Sequence, residues 1–183
     1  MNIVILGWGS LVWDPRELPK EGTWQTEGPR LPLEFSRVSK DCRLTAVIDP
    51  TDGERCSTRF VMSPRADIDD TIRDLREREG TFNSRIGFVD LKSGNDHAQF
   101  STICRRIKSW YAKEELDGVV WTDLPPNFKD QTGKEYTVAT AVAYLEGLPK
   151  TARKIALQYI GNAPDEVNTP LRRALEGLGQ LAR

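Results

Sequence analysis

The sequence predicts a single α+β domain over residues 1–183, in which a mixed, strongly curved sheet is flanked by helices. Short apolar segments typical of strands fill the first two thirds of the chain, and helical periodicity takes over from about residue 136. The length of 183 residues suits one domain with a substantial core. We therefore expect residues from about 136 to 183 to be a C-terminal helical segment of this domain.

The composition favours a small-molecule ligand. The chain has 26 Lys and Arg against 27 Asp and Glu, a formal net charge of −1, so no net field attracts nucleic acid or an anionic membrane. One histidine and three cysteines without a CxxC pair are too few for a zinc site or a disulfide framework, so we expect no metal and no cofactor. The chain lacks both an apolar run of about 20 residues and the layout of a signal peptide. We expect a cytoplasmic protein, and the sequence does not indicate its oligomeric state.

The first predicted strand leads into a glycine-containing loop. The apolar run at residues 3–6 is followed by Gly7-Trp8-Gly9-Ser10, and Pro15 ends the apolar segment after it. This order predicts a buried strand that feeds a tight backbone loop. Such a loop turns several backbone N–H groups toward one point and forms a nest for an anionic group. We expect the rest of the chain to build a pocket over this nest.

The next segments are predicted to be a connection and a hairpin. Residues 16–34 are rich in Pro, Gly, Glu and Lys and lack a sustained period, which indicates a long surface connection. Residues 44–49 and 56–62 have the composition of strands, and the Asp52-Gly53 turn lies between them. We expect these two strands to pair as a hairpin.

The first helix is predicted over residues 67–79, where acidic residues precede basic ones and Gly80 follows. Its apolar residues have i, i+4 and i+7 spacing: Ile68, Ile72 and Leu75. The next position on this buried face is Glu79. Glu77 is turned about 200° away from Leu75 at 3.6 residues per turn, so it should face solvent.

After this helix, the predicted elements are first strands, turns and loops and then only helices. We expect a strand at 85–91, a turn at 92–96, an extended segment near 100–107 that pairs with that strand, an inner strand at 118–123, a loop at 124–128, and helices at 136–148, 152–160 and 169–178. Thr169-Pro170 supplies an N-cap and a first-turn proline to the last helix, whose apolar face carries Leu171, Ala174, Leu175 and Leu178.

Gly7-Trp8-Gly9 also begins like a dinucleotide-binding fingerprint, but the rest of that pattern is missing. Val12 occupies the third glycine position, and Pro15 interrupts the place where a crossover helix should begin. The sequence therefore argues against nucleotide binding.

Residues 8–15 resemble a family signature instead. Trp-Gly-Ser-Leu followed by Val-Trp-Asp-Pro is similar to the Tyr-Gly-Ser-Leu signature of the γ-glutamylcyclotransferase-like superfamily. It is especially similar to the longer Tyr-Gly-Ser-Leu-Ile-Trp-Asn-Pro form of the ChaC-type, glutathione-degrading branch. Sequences of that branch carry a glutamate in a Leu-x-x-Arg-Glu pattern, which residues 75–79 match. Trp8 stands where the family usually has tyrosine, so the loop lacks that hydroxyl.

The resemblance implies a fold, a site and a reaction. The sheet would close into a small β-barrel, and Glu79 would be the catalytic acid and base. The substrate-binding residues would be Trp8, Gly9, Ser10 and Leu11. In the implied reaction, the α-amino group of a small γ-glutamyl amide or peptide attacks its own γ-carbonyl and releases 5-oxoproline. A partly shielded carboxyl group can accept the first proton and deliver it to the leaving amine.

Other interpretations stay open at this stage. Glu79 can be a helix-end residue paired with Arg76 or a distant arginine, and Ser10 can be a turn residue. The chain can also be a non-catalytic domain that binds a small metabolite or a protein and keeps the pocket. The sequence does not choose among the arginines that could hold a substrate carboxylate, which are those within residues 73–79 together with Arg43, Arg59 and Arg85.

Overall fold

The computed structural model describes residues 1–111 and 115–181. The strands are β1 (Ile3–Gly7), β2 (Glu21–Gln25), β3 (Arg30–Val38), β4 (Leu44–Ile48), β5 (Glu54–Ser57), β6 (Arg59–Met62), β7 (Ile86–Asp90), β8 (Asp96–His97) and β9 (Gly118–Thr122). The α-helices are α1 (Ser10–Trp13), α2 (Ile68–Glu79), α3 (Ser101–Tyr111), α4 (Phe128–Thr132), α5 (Val138–Glu146), α6 (Lys150–Gly161) and α7 (Pro170–Gly177). A 3-10 turn covers Asn83–Arg85. The predicted α+β class is confirmed.

The chain forms two compact units, each built from two segments. The first unit contains Met1–Leu31 and Ser57–Leu124, and the second contains Pro32–Cys56 and Pro125–Arg183. The single domain expected from the sequence stays a prediction.

The first unit contains a six-stranded mixed sheet with the order β2-β6-β1-β9-β7-β8. The central strand β1 is antiparallel to β6 and parallel to β9, and β9 is antiparallel to β7. All five residues of β1 are buried, as the predicted buried strand requires. Because β1 and β9 are parallel, their carboxyl ends lie at the same edge of the sheet.

Helix α2 covers one face of this sheet, where it packs on β1, β9 and β7. Ile5 of β1 and Val120 of β9 share a buried core with the predicted apolar face of α2, that is Ile68, Ile72 and Leu75. Leu11 of α1 belongs to the same core. The helical periodicity therefore predicted the buried face of α2 correctly, and the shared core fixes α1 and α2 above the same side of the sheet.

The second unit combines a three-stranded sheet, in the order β4-β3-β5, with helices α4 to α7. Strand β3 is antiparallel to β4, and Leu33 lies opposite Ile48. The predicted helices of the C-terminal segment are present as α5, α6 and α7. The barrel implied by the family resemblance is wrong for the described residues, because their strands form two separate sheets and neither is a closed barrel.

Three predicted elements differ from the structure. The 44–49 and 56–62 hairpin is wrong, since β3 lies between β4 and β5, and the second run splits into β5 and β6, which belong to different sheets. Residues 16–34, which were predicted to be a connection, contain β2 and the start of β3. Gly and Pro residues weaken the strand pattern in this segment. The extended segment near 100–107 is helix α3, which buries Ile103, Cys104 and Ile107 at helical spacing.

The last helix ends before its predicted apolar face does. Thr169 is the N-cap of α7, and its side chain accepts from the backbone N–H of Arg172, as the sequence predicted. Leu171 and Leu175 are buried, whereas Leu178 lies after the last helical residue and is 59% exposed. No helix in the described part of the chain is both long and apolar enough to cross a membrane.

Candidate functional site

The predicted loop is short and becomes a single helical turn. Strand β1 ends at Gly7, and α1 begins at Ser10. The backbone N–H of Val12 donates to the carbonyl of Gly9 at 2.9 Å, and that of Asp14 donates to the carbonyl of Ser10 at 2.7 Å. The amides of Ser10 and Leu11 are in the first turn, where an α-helix offers no acceptor. The nest of N–H groups that the sequence predicts in this loop stays a prediction.

Gly7 is required at the end of β1. A Cβ at this position would lie 2.8 Å from the Cη2 and Cζ3 atoms of Trp24. The indole of Trp24 therefore packs directly over the Gly7 backbone on the side of the core. This close contact needs a residue without a side chain.

The four predicted substrate-binding residues divide into two pairs. Trp8 and Leu11 are each 5% exposed, so their side chains belong to the core. Gly9 and Ser10 are half-buried. The side chains of Trp8 and Leu11 are therefore closed to a ligand unless the core moves, whereas Gly9 and Ser10 are partly accessible.

The end of α2 places Glu79 and Glu77 in opposite environments. Gly80 has left-handed backbone angles (φ 60°, ψ 44°), its N–H donates to the Glu77 carbonyl at 3.1 Å, and the N–H of Thr81 donates to the Arg76 carbonyl at 3.2 Å. This is a Schellman motif, which fixes the last turn of the helix. The Glu79 side chain is 15% exposed and that of Glu77 is 63% exposed. The predicted exposure of Glu77 is confirmed.

Arg78 connects Glu79 to the loop. Its Nη1 donates to Oε1 of Glu79 at 2.6 Å. Its Nη2 donates to the Asp14 carbonyl at 2.5 Å and to Oγ of Ser10 at 3.4 Å. The Arg78 side chain is only 5% exposed. One guanidinium group therefore joins the carboxylate of α2 to the loop that follows β1, and we call these contacts the Arg78 bridge.

Arg16 supports the Arg78 bridge from the other side. Its Nη1 donates to the Arg78 carbonyl at 3.4 Å, and its Nε lies 3.6 Å from Oδ2 of Asp14. Arg16 has a positive φ of 53°, which is uncommon for a residue with a side chain. The chain after α1 thus turns back toward the carbonyl end of α2.

The structure decides which arginine pairs with Glu79. Arg76, one alternative left open by the sequence, pairs with Glu77 at 3.0 Å instead. The sequence offered Arg78 only among the unranked arginines for a substrate carboxylate. Arg78 lies three residues after Leu75, on the same helical face, and this spacing was the available signal.

The neighbouring strand adds a hydroxyl group that sequence reasoning did not select as part of the site. Ile5 lies opposite Val120 in the parallel pair β1 and β9, so the same register places Gly7 beside Thr122. Side chains alternate along a strand, so Thr122 leaves the sheet on the same face as Val120, the face covered by α2. The Thr122 Oγ1 atom is shielded from solvent and forms no hydrogen bond with any described residue.

A buried carboxyl group follows Thr122 at the same edge. Asp123 is 1% exposed, and burial raises the pKa of its carboxyl group. The backbone N–H of Gln99 donates to Oδ2 at 2.6 Å and favours the charged form. Asp123 comes directly after Thr122, so its side chain takes the opposite face and is separated from Glu79 by the sheet.

The described residues contain no group of three or more His, Cys, Asp or Glu side chains that could hold a metal ion. No protein-family model matches the chain, and neither a curated protein nor a solved structure matches it. The geometry around Glu79, Arg78 and Ser10 is therefore the basis for assigning a function.

Proposed function

We propose that this protein is a γ-glutamyl cyclotransferase of the γ-glutamylcyclotransferase-like superfamily, which releases 5-oxoproline from a small γ-glutamyl amide or peptide. One observation carries the proposal. The glutamate that matches the family pattern, Glu79, is shielded from water and linked by a single guanidinium group to Ser10 in the loop that matches the family signature. Ser10 and Arg78, which are 68 residues apart in the chain, thus bring the two motifs into contact.

In the proposed reaction Glu79 moves one proton and the substrate supplies its own nucleophile. The carboxylate accepts a proton from the substrate α-amino group, whose nitrogen attacks the γ-carbonyl carbon and closes the lactam ring. Glu79 then delivers that proton to the leaving nitrogen as the original amide C–N bond breaks. The products are 5-oxoproline and a free amine, and Glu79 returns to its starting state. Because the attack is intramolecular, holding the substrate in a folded conformation supplies much of the rate.

The loop and Arg78 have supporting roles in this proposal. The N–H groups of Ser10 and Leu11 would stabilise the negative charge that develops on the γ-carbonyl oxygen. Arg78 holds the Glu79 carboxylate in place and keeps a positive charge beside it. A fixed carboxylate is better placed for proton transfer than one that rotates in solvent.

A second candidate function is a non-catalytic domain that binds a small metabolite. The observation in its favour is the ion pair itself, since Oε1 of Glu79 is already engaged by Arg78 at 2.6 Å. In that case the site would bind a γ-glutamyl compound without turnover.

The test is product formation from a panel of substrates. The protein is incubated with glutathione and several γ-glutamyl amides, and 5-oxoproline is quantified by chromatography. Glu79→Gln should lower the rate by a factor of about 10² to 10⁴, the usual contribution of a general acid or base. Glu77→Gln is the matched control, because Glu77 is on the same helix and faces solvent.

The outcomes separate the candidates. If no substrate yields 5-oxoproline while circular dichroism shows an intact fold, the cyclotransferase function is contradicted. The non-catalytic binding function then remains. Full activity of Glu79→Gln contradicts the assignment of Glu79 but not the reaction.

We also propose that the protein acts in a reducing compartment, the cytoplasm. The three cysteines are free thiols, and two of them, Cys56 and Cys104, are buried. Unpaired buried cysteines are typical of proteins that are not exposed to oxidising conditions.

A further inference from the structure

Two shielded hydrogen-bond donors of the first unit, one on α2 and one on β9, lack an acceptor within the described residues. The first is Nε of Arg78, a shielded atom on a side chain that is 5% exposed. The three bonds to Glu79, Ser10 and Asp14 all come from the two terminal nitrogens, so the Nε–H group is free to donate to a ligand. A buried N–H without an acceptor is costly, and a bound oxygen atom would remove that cost.

The second donor comes from a different element. Oγ1 of Thr122 is also shielded and without a partner among the described residues, and it belongs to β9. Thr122 is beside Gly7, the residue from which the loop to Ser10 begins, and it lies on the face of the sheet covered by α2. The two donors are therefore contributed independently by the helix and by the sheet, to the same edge of the first unit.

We propose that Arg78 and Thr122 bind the α-carboxylate of the γ-glutamyl group, an inference that rests on the proposed function. The charges fit the two ends of an α-amino acid. The guanidinium of Arg78 and the hydroxyl of Thr122 donate to the carboxylate, while the adjacent Glu79 faces the α-amino group from which it takes the proton. The positive charge of Arg78 thus faces the ligand's carboxylate, and the negative charge of Glu79 faces its ammonium group.

This assignment predicts that the enzyme requires the α-carboxylate of its substrate. A 4-aminobutanoyl amide can also cyclise, since it has the same amine and carbonyl, but it lacks that carboxylate. In the complex with such an analogue, the Arg78 and Thr122 donors would be left unpaired. The enzyme would therefore discriminate against the analogue.

The experiment measures binding without relying on turnover. 5-Oxo-L-proline and pyrrolidin-2-one share the lactam ring, but only the first carries the carboxylate. Their affinities are measured by calorimetry for the unmodified protein and for Thr122→Val, Thr122→Ser and Arg78→Lys. Arg76→Gln is the matched control, since Arg76 is on the same helix and pairs with the exposed Glu77.

The unmodified protein should bind 5-oxo-L-proline at least about tenfold more tightly than pyrrolidin-2-one, as expected for hydrogen bonds to a charged group. Thr122→Val and Arg78→Lys should each reduce this ratio by about tenfold, whereas Thr122→Ser and Arg76→Gln should keep it. A ratio near one in the unmodified protein, or a ratio retained by Thr122→Val or by Arg78→Lys, overturns the proposal. If Arg78→Lys does not fold, the comparison of Thr122→Val with Thr122→Ser decides.

Turnover by the unmodified protein is measured in parallel, so that the two proposals fail separately. Formation of 5-oxoproline together with an unchanged ratio in Thr122→Val refutes the carboxylate subsite and keeps the enzyme. A ratio that depends on Thr122 and Arg78 without any turnover keeps the subsite and refutes the catalytic function.

Discussion

Replacing Arg78 by methionine should cost much more stability than replacing Arg76 by methionine. The two arginines are two positions apart on α2, and each forms an ion pair with the glutamate that follows it. The pairs differ in their exposure. Arg78 and Glu79 are 5% and 15% exposed, whereas Arg76 and Glu77 are 33% and 63% exposed.

The magnitude follows from this difference. Two unit charges about 4 Å apart attract by about 4 kcal/mol at an effective dielectric constant of about 20, and desolvation offsets part of this. Arg78→Met also removes the hydrogen bond to the Asp14 carbonyl at 2.5 Å and leaves Glu79 without its partner. Breaking a buried pair costs about 3–5 kcal/mol, and the residual exposure of Glu79 favours the low end, about 3 kcal/mol. Arg76→Met should cost only a few tenths of a kcal/mol, roughly what exposed pairs contribute.

A double-mutant cycle isolates the pair from other effects of the substitutions. Urea unfolding is followed for Arg78→Met, Glu79→Gln and the double variant, and the same three measurements are made for Arg76 and Glu77. We expect a coupling energy of about 2 kcal/mol for the buried pair and less than about 0.5 kcal/mol for the exposed pair. Both pairs are adjacent in sequence, so equal coupling energies would refute the conclusion that burial strengthens the pair of Arg78 and Glu79.

Three further predictions concern the two units. Gly87→Ala should destabilise the protein by about 3 kcal/mol, because a Cβ there would lie 2.1 Å from Cε2 of the fully buried Trp121; a loss below about 1 kcal/mol in thermal unfolding would contradict this close packing. Gly161→Ala in α6 meets no atom within 4 Å, and the same measurement should show a gain of about 0.5–1 kcal/mol. Burial is the main cause that raises the pKa of Glu34 above its ordinary value of 4.5, so the folded state holds this proton more tightly than the unfolded state does. The Glu34 contribution to stability is then most favourable below pH 4.5 and is lost as the pH rises through the folded pKa. As the pH is raised through this range, the unfolding midpoint should fall less in Glu34→Gln than in the unmodified protein. Parallel curves of midpoint against pH for the two proteins would refute the assignment of this pH dependence to Glu34.

The sequence predicted those parts of the fold that depend on local periodicity. The apolar spacing of α2 alone distinguished Glu79 from Glu77, because a helix repeats its faces every 3.6 residues. The same reasoning predicted β1 from its run of apolar residues and α7 from its N-cap and proline.

Pairing between distant segments was not predictable in this way. Strands β4 and β5 are close in sequence and each has a recognisable composition, but β3 pairs between them. Strand β3 itself contains Pro32, which weakens the signal of a strand. The apolar residues of α3 suggested a strand, although Ile103, Cys104 and Ile107 have helical spacing.

The candidate site shows the same division. Glu79 and the loop at residues 8–11 were found from motifs and periodicity, whereas the roles of Arg78 and Thr122 depend on which side chains face each other across different elements. A guanidinium group can reach several acceptors from one helical position, so sequence alone could not choose Arg78 over the other arginines. Thr122 had no distinguishing feature in the sequence except its position at the end of an inner strand.

The position of β9 in the sheet also has a consequence for synthesis of the chain. Strand β1 is made first, but one of its two partners is β9, at residues 118–122, and β7 depends on the same strand. At a translation rate of roughly 5–20 residues per second, one edge of the apolar strand β1 keeps its backbone N–H and C=O groups unpaired for on the order of ten seconds. Unpaired strand edges associate with other chains. A truncated chain that ends before residue 118 should therefore aggregate, although it contains the loop, Arg78 and Glu79 in full.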